Sequence, residues 1–143
     1  MRLKSHTRLF TLILCLFIPT AYASAQGCLS YDVAGVQLTG TISKKTFPGP
    51  PNYESVRRGD KPETYWILHL ARPICTTASA DNEAESNVSD IQLILTPKQY
   101  ALYRKFVGRK GRTVTAAGKL SHAITGHHHT QVLLEVTGIS GSS

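Results

Sequence analysis

A single helix signature sits among stretches that otherwise alternate, and this narrows the folds open to the chain more than any other feature. Thr96 stands as N-cap, Pro97 takes the first helical position, Gln99 completes a capping box three residues on, and Gly108 supplies the stop. The signature predicts a helix over residues 97–107. Tyr100, Tyr103 and Val107 fall on one face with Phe106 beside them, while Lys98, Arg104 and Lys105 point outward.

Around that helix the pattern is β. Residues 36–42 alternate with Gly40 in their middle, which predicts a half-buried strand with a bend or bulge. Residues 44–62 hold Pro48, Pro50, Pro51, Pro62 and the pair Gly59-Asp60, so a long loop is expected there. The nearly continuous apolar run at 64–70 predicts a well-buried second strand ending at Pro73 and Cys75, and residues 76–89, with Asp81, Glu83 and Glu85, predict an exposed acidic loop. Strands follow at 91–95, 114–120 and 132–136, and the Gly/Ser-rich tail 138–143 is expected to be flexible. The order is β-β-β-α-β-β, a mainly β chain with one helix. It is the arrangement of an OB-like five-stranded barrel whose helix closes one end. A small sandwich, or a sheet with the helix on one face, is the competing reading.

Residues 1–25 have the layout of a cleavable signal peptide: Arg2, Lys4 and Arg8, an apolar run at 9–18, then Ala21-Tyr22-Ala23-Ser24-Ala25. About ten apolar residues fall short of the roughly 20 that span a bilayer, so no transmembrane anchor is expected. The remaining residues, 26–143, make one domain, periplasmic or secreted. The leader holds three basic residues and no acid, so its removal lowers the net charge from +7 to +4. Cys15 leaves with it. Cys28 and Cys75 then form an even pair in an oxidising compartment, which predicts a disulfide.

Three clusters are candidates for function. His127-His128-His129 follows His122 across a predicted turn, and alternation in an extended segment places His127 and His129 on one face, where His122 could add a third imidazole for zinc or copper. The plain reading is a polar hairpin loop. The loop segment with Tyr53, Glu54, Arg57, Arg58 and Asp60 has both charge signs, an aromatic and a glycine turn, and in an OB barrel it lies at the ligand rim. Residues 98–119 hold seven basic residues and no acid, a face that attracts an anionic partner. Nucleic acid is disfavoured, because only Tyr65 and Trp66 offer stacking surfaces. Catalytic templates fail: Gly138-Ile139-Ser140-Gly141 is not a nucleophile elbow, and residues 108–112 are not a P-loop.

Several blocks together resemble a family of small exported bacterial proteins, domain of unknown function 4431. They are Cys28-Leu29-Ser30-Tyr31, the run from Phe47 to Val56 with Gly59-Asp60, Trp66-Ile67-Leu68, Pro73-Ile74-Cys75, Ile91-Gln92-Leu93, and His127-His128-His129-Thr130 with Val132-Leu133-Leu134. The resemblance implies one exported domain with Cys28 paired to Cys75, and it transfers no functional role. The expected function is a non-enzymatic exported binding module whose rim, residues 47–60 and 122–130, contacts a protein or an anionic envelope component. An inhibitor or immunity protein is one form of this. The alternative is a metal-binding protein or metalloenzyme centred on His122, His127 and His129. The oligomeric state is not read from these residues.

Overall fold

The computed structural model describes residues 27–108 and 112–141. The expected leader, Arg109, Lys110 and residues 142–143 lie outside the described residues.

Alternation begins where expected but runs much further. The first strand, β1, spans Val36–Pro48. Up to Gly40 it pairs with β4 (Val114–His122), and from Gly40 onward it pairs with β2 (Pro62–Ile74). Gly40 thus belongs to both ladders, at the bend the sequence predicts. A Cβ built there would collide with the carbonyl oxygen of His69, so only glycine lets β2 cross so near. Gly118 does the same on β4. It sits at a register shift against the carbonyl of Glu135 in β5 (Val132–Gly141). These two corners let one sheet curl until its edges meet. The strands close in the order β1-β2-β3-β5-β4, with β3 spanning Val88–Ile94. Only β3 and β5 run parallel among the named pairs. The chain is therefore mainly β with one helix, an OB-like five-stranded barrel in the order β-β-β-α-β-β.

The interior is filled by Leu38, Ile42, Trp66, Leu68, Ile91, Leu93, Val114, Leu120, Val132 and Leu134, alternate residues of their strands. The helix α1 spans Pro97–Tyr103, and its capping box forms as expected. Gln99 also donates from Nε2 to the Val136 carbonyl at 2.8 Å, tying the helix start to β5. Tyr100 meets Trp66 edge to face with ring centroids 5.0 Å apart, which plugs the barrel end. The expected helix over 97–107 is too long. The last turn tightens to 3-10 over Arg104–Phe106, which buries Phe106 and brings Gly108 N–H onto the Ile42 carbonyl at 3.0 Å. Gly108 stops the helix with a positive φ of 70°.

Three further expectations are corrected. The loop expected at 44–62 is mostly strand at its ends, since pairing runs unbroken from Lys44↔Trp66 to Pro48↔Pro62. The prolines stand at the last pair, where no further ladder donor is required. The flexible tail is instead strand through Gly141: Gly138, Ile139, Ser140 and Gly141 pair with Ala117 to Val114, and Ile139 is buried in the core. The acidic loop is partly closed, because Glu85 turns inward, donating its N–H to Thr76 Oγ1 at 3.0 Å and pairing its carboxylate with His122 at 3.0 Å.

Cys28 and Cys75 are disulfide-bonded, with Cα atoms 4.6 Å apart. Beyond the bond, Leu29 bridges Thr76, and buried Tyr31 accepts a hydrogen bond from Thr76 at 2.9 Å. The staple therefore fixes the segment before β1 to the end of β2.

A candidate recognition rim

A carboxylate organises the loop between β1 and β2. Asp60 is buried and accepts from four N–H donors: Asn52 backbone at 2.9 Å and side chain at 3.2 Å on Oδ1, Glu54 at 2.8 Å and Ser55 at 2.7 Å on Oδ2. The Ser55 and Asn52 amides hold its carboxyl below the usual carboxylate range. The sequence places Asp60 among the rim's contact residues. It is instead the loop's internal clasp, because its two oxygens face backbone amides. Besides Tyr53, the exposed members of that set are Glu54, paired with Arg58 at 2.9 Å, and Arg57 in the turn Val56–Arg58. Tyr53, held at a positive φ of 58°, projects toward the other loop.

That other loop, between β4 and β5, carries the histidines. His127 Nδ1 meets Glu63 Oε2 at 2.8 Å, and Tyr65 donates to the same oxygen at 2.9 Å. His127 Nε2 lies 3.2 Å from the Tyr53 hydroxyl, and the two rings meet edge to face. The His127 hydrogen bond lowers the Glu63 carboxyl, while burial and the Glu63 carboxylate push Tyr65 up to about 12. His129 stacks flat on Phe47 of β1, centroids 4.0 Å apart. Burial lowers the pKa of both His128 and His129. His128 Nδ1 accepts the Ile124 N–H at 3.0 Å, and buried His129 Nε2 has no hydrogen-bond partner among the described residues.

Gln92 holds the loop down, and strand alternation alone did not reveal it. Alternation puts Gln92 on the outside of β3, in a row with Ile67 and Leu133, yet all three are buried because the histidine loop folds over them. Its side-chain amide donates to the His127 carbonyl at 3.0 Å and accepts from the His129 N–H at 2.7 Å. Its own N–H donates to Thr130 Oγ1 at 2.8 Å. A polar residue inside an apolar run is the one signal the sequence carries for this role. Beside the loop, a groove of about 390 Å³ opens on the outer face, with Lys45, Phe47, Ile67, Asp90 and His129 among its lining residues.

The expected His122, His127 and His129 metal centre does not assemble. His122 is turned to Glu85 and edge-on to Tyr31, whereas His127 and His129 face the β1–β2 arm. The reason is the β4–β5 register, which pairs His122 with Val132 at the loop's base, under Glu85. Among the described residues no group of three or more His, Cys, Asp or Glu is arranged to hold a metal ion. Of the described basic residues at 98–119, Lys119 lies 3.3 Å from both Asp32 and Glu135. Trp66 is interior, so it offers no stacking platform to a base. Among the described residues, no helix is long and apolar enough to cross a membrane.

Residues 90–140 match the family described as Domain of unknown function (DUF4431). The matched segment includes Gln92, the histidine loop and the parallel β3–β5 pairing, and it begins after β1, β2 and the loop clasped by Asp60. No curated protein and no solved structure matches the chain.

Proposed function

We propose that the chain is an extracytoplasmic binding module that recognises a partner protein through the joined tips of its two loops. One observation carries this reading: Tyr53 and His127 bring the β1–β2 and β4–β5 loops into contact, making a single surface from segments 74 residues apart. In OB barrels these two loops flank the ligand face. The side chains at the tips suit a protein partner. Val56, Tyr53 and Ile124 are large apolar residues left 43%, 37% and 81% exposed, and exposed Arg57 follows Val56 in the same turn. Exposed aromatic and apolar anchors beside arginine are the residue types that dominate protein interfaces. The disulfide supports a place outside the cytoplasm.

The test compares capture of envelope proteins by the purified, disulfide-bonded chain with capture by two variants. Val56→Asp with Ile124→Asp removes the bound protein, and Leu102→Asp, on exposed helix surface, leaves it bound. Binding that survives the first pair, or retention only on anionic polymer, overturns the reading.

A further inference from the structure

Three neighbouring strands place a serine, a histidine and an aspartate in one hydrogen-bonded line on the outer face of the barrel. Leu38 and Ile42 of β1 point inward, so Ser43 points out. Likewise Leu68 and Ile91 are interior, which turns His69 of β2 and Asp90 of β3 outward. His69 pairs directly with Asp90 across the β2–β3 ladder and with Thr41 across β1–β2, so Ser43 lies diagonally from it. Ser43 Oγ is 2.7 Å from His69 Nε2, and His69 Nδ1 is 2.7 Å from Asp90 Oδ1. With Nδ1–H donating to Asp90, the free lone pair of Nε2 faces the serine hydroxyl. This is the tautomer a general base requires.

The line borders a place for a substrate. Asp90 lines the 390 Å³ groove, and Ser43 and His69 lie at its edge rather than in its wall: Ile67, the cross-strand partner of Ser43, is buried and lines it. Lys45, the next outward residue along β1, is also in the wall, where its Nζ rests 5.1 Å from the Phe47 ring centroid and brings positive charge to the groove. We propose that Ser43 is an activated nucleophile for a small ester or related acyl electrophile seated in this groove, with His69 as base and Asp90 as the positioning residue. Ser43 Oγ bonds to the acyl carbon as its proton passes to His69 Nε2. The ester C–O bond breaks, the leaving oxygen takes the proton from His69, and an alcohol departs from acyl-Ser43. Water, deprotonated by His69, then adds to the acyl carbon, and collapse returns the proton to Ser43 and releases the acid.

The assignment is tested with a fluorophosphonate, in which the Oγ–P bond forms as fluoride leaves, and the adduct is located by peptide mass spectrometry on the disulfide-bonded chain. Ser43 is labelled far faster than exposed Ser89 on β3. The rate falls by about 100-fold or more in His69→Gln. It also falls in Asp90→Asn and is partly retained in Asp90→Glu, a contrast that mere packing does not produce. Should His69→Gln not fold, Asp90→Asn carries the same comparison. The inference is overturned by the absence of a Ser43 adduct, or by a labelling rate that neither substitution changes. Leu102→Asp, on the exposed helix surface away from both the rim and the groove, leaves labelling intact, so loss of labelling is read apart from loss of partner capture.

Discussion

Tyr53 and His127 meet edge to face with ring centroids 5.3 Å apart, and the Tyr53 hydroxyl lies 3.2 Å from His127 Nε2. Each belongs to a loop stabilised from its own side: Asp60 clasps one, and Gln92 pins the other. The contact therefore couples two preformed parts. A double-mutant cycle of Tyr53→Ala and His127→Ala is expected to give a coupling of about 0.5–1 kcal/mol by chemical denaturation. Strict additivity of the two substitutions would show that the loops merely touch.

Gln92→Ala is expected to destabilise the fold by about 2–3 kcal/mol, since it leaves the His127 carbonyl and the His129 N–H unpaired beside a void. Gln92→Glu does not rescue it, because a carboxylate cannot donate to the carbonyl. Chemical denaturation measures both. Amide exchange at residues 127–130 rises with either change.

The Cys28–Cys75 bond closes a sequence separation of 47. Its loss in Cys28→Ser with Cys75→Ser is expected to cost about 4 kcal/mol through the freedom returned to the unfolded chain. Urea denaturation checks the value. A shift under about 1 kcal/mol would mean that the Leu29–Thr76 bridge and Tyr31 hold the segment without it.

The histidines predict opposite responses to pH. Burial depresses His128 and His129 below the ordinary 6.5, so the stability they contribute is present above that value and is lost as pH falls toward their lower folded values. Glu85 raises His122, whose contribution is complete below 6.5 and is lost as pH rises through its higher folded value. Acidification from about pH 7.5 to about 5 is expected to loosen the loop tip while tightening the His122–Glu85 contact. Hydrogen exchange at the Ile124 N–H, corrected for intrinsic rates, should speed up on acidification because protonated His128 Nδ1 no longer accepts from it.

Local signals were legible in the sequence, and those made by register were not. The helix start could be read because Thr96, Pro97 and Gln99 act on one another within a single turn. Gly40 could be read because an isolated glycine in an alternating run marks a bend. The prolines misled: Pro48 and Pro62 look like breakers, yet they sit opposite one another at a ladder's end, so β1 and β2 run to both. The histidines do not converge as their spacing suggests, since their neighbours Glu63, Phe47 and Glu85 come from distant elements. Asp60 looked like a surface acid because its donors, Asn52, Glu54 and Ser55, are found only after the loop folds. Ser43, His69 and Asp90 share no spacing that a motif could capture; three strands in register bring them together.

The grip of Gln92 on its loop has one more consequence. Both of its side-chain hydrogen bonds end on backbone atoms, the His127 oxygen and the His129 nitrogen. The clamp is thus indifferent to which side chains the clamped residues carry. New tips that keep Thr130, whose Oγ1 accepts the Gln92 N–H, could be grafted between Ala123 and Gln131, whose N–H and carbonyl already close the hairpin at 2.9 Å, while the barrel beneath keeps its architecture. The protein is built like a handle with an exchangeable blade.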